Sequence, residues 1–233
     1  MLDRNQTVAG LVLDHPECAP VFQRHRIDFC CRGDVSLETA AAEKGVDATA
    51  LLAELERAVA SRSSGRSADP RALTTPQLVE HIVSKHHAYL REALPFLRGL
   101  AAKVASVHGE HNPRLRALDQ AVQELAAALV PHLDDEEKTL FPALVAAAAG
   151  SDATRRLLEE MVDEHLAVAK LLERIRAASE DFSVPDWGCN SYRTLFAELK
   201  TLEADVFAHV HLENHVLLPR FAPTPAQLQE ASR

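Results

Sequence analysis

Two short phrases in this 233-residue chain place a histidine four residues ahead of a glutamate, HLDDE ending at Glu136 and HVHLE ending at Glu213. On a helix that spacing puts both side chains of a pair on one face. In both cases the face is an apolar one. Leu195, Leu199, Leu202 and Val206 form a seam in steps of four and three, His209 and Glu213 continue it, and Val216 and Leu217 resume it. Leu118, Val122, Leu125 and Leu129 lead in the same way through His132 and Glu136 to Leu140. An ionised carboxylate left bare in an apolar core costs several kcal/mol, so these glutamates must be paired or hold a metal.

Two further seams carry one histidine each: Leu158, Met161, His165, Val168, Leu172, Ile175, and Val83, His87, Leu90, Leu94, Leu97. His86 competes with His87, because Ile82, His86 and Leu90 are spaced almost as well; the Val83 register is preferred, which turns His87 inward. His81, His211 and His215 fall off the seams and are expected to be exposed or outside the ligand set. Glu137 and Glu164 are expected to face a neighbouring helix or solvent.

Depth agrees with facing. His87 lies 11 residues into its helix and His165 lies 12 into its own, while His209 and Glu136 lie 11 and 13 residues before the ends of theirs. At about 1.5 Å per residue, an antiparallel bundle brings all of these into one thin layer. A single inward histidine is ordinarily a satisfied core residue. Four histidines and two glutamates on matched seams predict metal binding. Six nitrogen and oxygen donors exceed the four of a structural zinc, and two metals suit them better. With Glu136 and Glu213 bridging, each ion receives two histidines and one oxygen from each carboxylate. Positions remain for an oxo or hydroxo bridge and an outside ligand. Iron is the preferred metal, since an open site of this kind suits dioxygen or nitric oxide chemistry.

The elements that must position these residues are helical. Alanine and leucine dominate a hydrophobic content of 47%, aromatics are 5%, and β-branched runs are missing, which predicts an all-α fold. Residues 1–60 read as a small domain of short helices, with Thr7, Ser36 and Asp47 as N-caps and Gly33 at a turn. Residues 61–70 are polar, contain glycine and proline, carry no seam and read as a linker. Four long helices follow within 71–222. The first has Thr75 as cap and Pro76 at its first position; the second has Asn112 and Pro113 in the same roles. Gly150 and Asp152 precede the third, and the loop around PDWGCN precedes the fourth. Bends are expected at Pro95, Pro131 and Pro142. The short connections favour an up-down-up-down four-helix bundle, and residues 223–233 form a tail.

A formal net charge of −9 with no offsetting basic block argues against a nucleic-acid or anionic-membrane partner. The longest uncharged run, Thr139 to Ser151, is shorter than the roughly 18–20 residues of a membrane span. The opening MLDRNQ has no apolar segment, and four cysteines, two of them adjacent, make no disulfide framework. Both features predict a cytoplasmic protein.

With these residues in hand, the chain resembles the iron–sulfur cluster repair di-iron proteins, the RIC family, over nearly its full length. DFCCRGDVSLETAAAEKG is similar to that family's cysteine-pair domain, and HIVSKHH, PHLDDEEKTLFP, DEHLAVAK and HVHLENHVLLPR are similar to its hemerythrin-like domain. Carried over by position, the family's metal ligands fall on His87, His132, Glu136, His165, His209 and Glu213. Where His86 stands, family members often carry tyrosine, so tuning around the ligands is expected to differ. Oxygen-carrying hemerythrins have a further histidine where this chain has Ala169, and ferritin-like bundles use Glu-x-x-His, absent from the metal-bearing helices here.

The resemblance implies a stress protein whose non-haem di-iron centre helps restore iron–sulfur clusters damaged by nitric oxide or oxidants. It would act by iron donation, by nitric oxide reduction, or by both, with damaged iron–sulfur proteins as partners and an electron donor that the sequence does not identify. The alternative is a module that binds or senses dioxygen or nitric oxide without turnover. A homodimer is compatible with either. Cys30 and Cys31 read either as buried fillers at a turn or, by the resemblance, as a thiol pair for redox, iron handling or partner contact. Cys18 and Cys189 read as incidental.

Overall fold

The computed structural model describes residues 2–61, 69–146 and 152–221. Most of the expected linker, the whole expected tail, Gly150 and the side chain of Asp152 lie outside the described residues. The described elements are α1 (Val8–Asp14), α2 (Ala19–Arg24), α3 (Leu37–Glu43), α4 (Ala48–Ala60), α5 (Thr75–His81), α6 (Ala88–His108), α7 (Arg114–Asp135), α8 (Phe141–Ala146), α9 (Asp152–Ala178) and α10 (Asn190–Leu212). No described helix is long and apolar enough to cross a membrane.

Contacts divide the chain into two compact units. One is Met1–Ala72 together with Phe207–Val216; the other is Leu73–Val206 with the segment from Leu217 onward. The division falls within α10.

In the first unit, helices start where a side chain can satisfy their leading amides. Thr7 Oγ1 accepts from Gly10 N at 3.1 Å, Ser36 Oγ from Thr39 N at 3.1 Å and Asp47 Oδ1 from Thr49 N at 2.9 Å. The core is built on Leu11, Phe22, Phe29, Leu37, Leu51 and Leu55, all buried. Phe29 packs its ring against Phe207 and His211, at 5.9 and 5.4 Å between centroids. Gly33 is required by close approach: a Cβ there would lie 2.4 Å from Phe29 O and 2.6 Å from the Cβ of Ala9.

The second unit holds the bundle helices in up-down-up-down order, α5–α6, α7–α8, α9 and α10 as far as Val206. Its seams on α7, α9 and α10 are buried as their spacing requires. The first bundle helix starts one residue earlier than expected. Thr74, not Thr75, is the cap, and Gln77 completes a capping box in which Thr74 N donates to Gln77 Oε1 at 2.9 Å. The second starts one residue later than expected, with Pro113 at the cap position and Arg114 first, while Asn112 Oδ1 accepts from Arg114 N at 3.2 Å. Pro95 and Pro131 lie inside the continuous helices α6 and α7.

The far end of α9 is held by a buried charge pair. Glu203 on α10 is 2% exposed and accepts from Arg176 Nε at 2.8 Å, with a second bond from Arg176 Nη2. Arg176 also lies 5.1 Å over the Phe182 ring. The chain leaves α9 through Glu180, Asp181 and Phe182, all with positive φ, a costly run for side-chain-bearing residues. Ser179 Oγ, which accepts from Phe182 N at 3.2 Å, helps to hold it. Removing one partner of a buried ion pair strands the other. Arg176→Met, which strands the buried Glu203 carboxylate, should therefore cost about 3–5 kcal/mol in chemical denaturation, and Glu203→Leu added to it should recover part of that loss.

Candidate metal centre

Three of the helices that carry the polar residues of the seams widen beside or at those residues, and α9, with His165, stays regular. Between α5 and α6, Ile82–His87 forms a π-helical turn in which Ala88 N–H reaches Val83 O, five residues back. The same geometry recurs at Glu136–Leu140, where Phe141 N–H reaches Glu136 O, and at Glu213–Leu217. Pro142 and Pro219 follow these two turns. A proline ring clashes with the carbonyl four residues back in a regular α-helix, and a wider turn relieves that clash.

The extra residue settles the register at His86 and His87. Ile82, His86 and His87 are all buried, while Val83 is only half-buried; the Val83 seam was the wrong one, although His87 does turn inward. The two histidines have different partners. His86 Nδ1 lies 2.9 Å from Asp205 Oδ1, whereas His87 joins the buried cluster.

That cluster contains all six residues singled out in the sequence. His87, Glu136, His209 and Glu213 offer one ligand atom each, all within 4.8 Å of one another; His132, Glu136, His165 and Glu213 do the same. Both carboxylates thus belong to both groups, and no member is more than 4% exposed. Glu136 Oε1 lies 3.4 Å from His132 Nε2 and 3.9 Å from His165 Nε2, and its Oε2 lies 3.4 Å from His87 Nε2. Two ligands about 2.0–2.2 Å from one ion lie about 3–3.5 Å apart, so most of these separations suit shared coordination. His209 Nε2 and Glu213 Oε1 are closer, at 2.8 Å.

Two carboxylates outside the cluster set the imidazole tautomers. His87 Nδ1 donates to Glu137 Oε1 at 2.9 Å, and His132 Nδ1 donates to Glu164 Oε2 at 2.6 Å. With the proton on Nδ1, the Nε2 lone pair of each ring faces Glu136, as a metal ligand requires. Burial alone would raise the Glu137 carboxyl, but hydrogen bonds from His87 and Arg91 outweigh it and hold Glu137 below the ordinary carboxylate value. Arg91 is itself fixed by Asp134 at 2.7 Å. The seams could not reveal these partners. Glu137 and Glu164 meet histidines on other helices, and only helix packing pairs them. The donor set, its burial and the aimed Nε2 atoms of His87 and His132 fit metal binding.

His211 departs from its sequence reading: it is 4% exposed. It turns away from the cluster, and its Nδ1 donates to Phe29 O at 3.1 Å. Burial, with His215 adding to it, pushes His211 down to about 4, so the ring is neutral near pH 7. Asn214 Nδ2 and His215 Nε2 both lie 2.9 Å from Cys30 O. Three side chains of Phe207–Val216 therefore hold the Phe29–Cys30 backbone. Cys30 is buried and Cys31 half-buried, Cys18 is buried with its thiol pushed up to about 12 by burial, and Cys189 is exposed.

The bundle and its cluster define the class: residues 78–221 match the hemerythrin HHE cation binding domain. Residues 4–59 match ScdA_N, a domain of unknown function. Two relatives match over nearly the whole chain. The iron-sulfur cluster repair protein ScdA of Staphylococcus haemolyticus is 32% identical, across 95% of this chain and 100% of that protein. The iron-sulfur cluster repair protein YtfE of Yersinia pseudotuberculosis is 33% identical, across 93% and 96%. The chain belongs to this ScdA/YtfE family of iron–sulfur cluster repair proteins.

Two measurements test the cluster. Glu213→Ala removes a group common to both sets of four and should lose most bound metal, whereas His211→Ala should keep it; equal metal in both would overturn the assignment of the inward face of α10. Glu137→Gln and Glu164→Gln leave the inner donors intact, and each should weaken metal binding by about 10–100-fold in a chelator competition.

Proposed function

We propose that this chain holds two iron ions through His87, His132, Glu136, His165, His209 and Glu213, and that it serves to restore iron–sulfur clusters damaged by nitrosative or oxidative stress. The observation that carries the reading is the sharing of both buried carboxylates between the two sets of four. Repair is supported by the names of the relatives that match along the whole chain. Iron bound in such a site supplies reversible one-electron chemistry and exchangeable coordination positions.

The residues of the chain provide the rest. Glu137 and Glu164 hold a proton on Nδ1 of His87 and His132, which leaves Nε2 of each ring as the ligand atom. A cavity of about 160 Å³ is lined by His132, Glu136, Thr139, Met161 and the carboxylates of Asp135, Glu160 and Glu164. It borders the cluster at His132 and Glu136. Its acidic lining favours passage of a cation, which supports iron donation over nitric oxide reduction as the main activity. Damaged iron–sulfur proteins are then the partners, and iron is the cargo.

The test uses a hydratase whose [4Fe–4S] cluster has been damaged by nitric oxide. The iron-loaded chain should restore its activity several-fold, while the Glu213→Ala chain and an equal amount of free ferrous iron should not. Iron content near two per chain is expected in the loaded sample. Recovery equal to that from free iron would overturn the repair reading. Multiple-turnover nitrous oxide production in the presence of a reductant, without cluster recovery, would replace donation with reduction.

A further inference from the structure

The bundle centre leaves one group of metal-type donors unused, the Asp28–Cys30–Cys31 turn of the N-terminal unit. We propose that Asp28, Cys30 and Cys31 form a second cation site, for a single thiophilic divalent ion of the ferrous or zinc type. It shares no donor with the bundle cluster and does not depend on the reading of that cluster.

The three residues offer ligand atoms within 4.8 Å of one another. The Cys30 and Cys31 sulfurs are 3.6 Å apart, and Cys30 Sγ is 3.2 Å from Asp28 Oδ1. Two thiolates bound at about 2.3 Å with a tetrahedral angle lie about 3.8 Å apart, and a thiolate and a carboxylate oxygen lie about 3.5 Å apart. These two separations are therefore within a few tenths of an ångström of a coordinating geometry, and the Cys31–Asp28 pair lies inside the same 4.8 Å group.

The turn is also built to stay there. Asp28 Oδ1 accepts from Cys30 N at 3.1 Å and from Cys31 N at 2.8 Å. The backbone carbonyls of Phe29 and Cys30 are held from the other side by His211, Asn214 and His215. A cysteine pair that merely filled space would need no such scaffold. The Cys30 thiol donates to a carboxylate, and its partner Cys31, burial and Asp28 all hold it protonated.

Access matches the role. Cys30 is buried, but Asp28 and Cys31 are half-buried, so an ion can enter from their side and a fourth ligand can come from solvent or from a partner protein. Binding is an exchange without redox change. The divalent cation forms two metal–sulfur bonds, the two S–H bonds break, and two protons go to solvent. The Asp28 carboxylate supplies the third donor.

The experiment titrates the metal-loaded full chain with cadmium chloride alone and follows the ultraviolet thiolate-to-cadmium charge-transfer band. One equivalent should bind with the band, releasing two protons measured in weak buffer. Cys30→Ser and Cys31→Ser should each weaken binding at least about tenfold, Asp28→Asn should weaken it by a similar factor, and Cys189→Ser should leave it unchanged. Metal content of the bundle and the helical circular dichroism, read on the same samples, should not change. If Cys30→Ser disturbs the buried turn, Cys31→Ser and Asp28→Asn carry the test, because both replace half-buried groups with close isosteres. Absence of the band in the unmodified chain, its persistence in both cysteine variants, or its loss in Cys189→Ser would overturn the site.

Discussion

The constraint on which the bundle depends is the burial of two carboxylates. Glu136 is 2% exposed and Glu213 fully buried, in a layer otherwise walled by leucine and valine. Neither could stay ionised there alone. The histidines of the same layer lie against them, most closely where His209 Nε2 is 2.8 Å from Glu213 Oε1. That pairing is a compromise, because imidazole and carboxylate can attract strongly only if the ring is protonated. A cation shared between them removes the requirement and lets each ring stay neutral. Affinity for metal and stability of the layer are therefore one quantity seen from two sides.

The same constraint accounts for the backbone. A regular α-helix turns about 100° per residue, so two adjacent side chains cannot both face one interior line. At Ile82–His87 the wider turn lets His86 and His87 both become buried, one toward Asp205 and the other toward the cluster. The widened turns at Glu136 and Glu213 likewise begin at the carboxylates themselves. Such turns sacrifice regular hydrogen bonding, and they occur here where donors must converge.

Glu213 also lies in a segment with two obligations. Its own face carries His209 and Glu213, while the residues between and after them, His211, Asn214 and His215, bind the backbone of Phe29 and Cys30. A helix whose two faces are both engaged has few exposed positions, which explains why His211 is neutral and buried rather than at the surface. It also explains why Phe207–Val216 groups with the N-terminal residues by contact although it continues α10.

Much of this was legible in the sequence. Periodicity alone predicted the all-α bundle, selected the six polar residues on the seams and placed them at one depth, because the cost of burying charge makes such positions rare unless they are used. The caps at Thr7, Ser36 and Asp47 were legible because an N-cap is a local bond within three residues. What the sequence could not decide depended on departures from ideal helix geometry or on pairing between helices. It assumed 3.6 residues per turn and so set His86 against Val83's seam, where a π-helical turn buries both histidines. It placed Glu137 and Glu164 toward neighbours or solvent without identifying their histidines, since nothing local joins residue 87 to 137 or 132 to 164. It set His211 and His215 aside as off-seam, because a helix with a second buried face is recognisable only once the element packed on that face is known. Local bonds and periodicity are written along the chain, whereas the tautomers, the register and the second face follow from which helices meet.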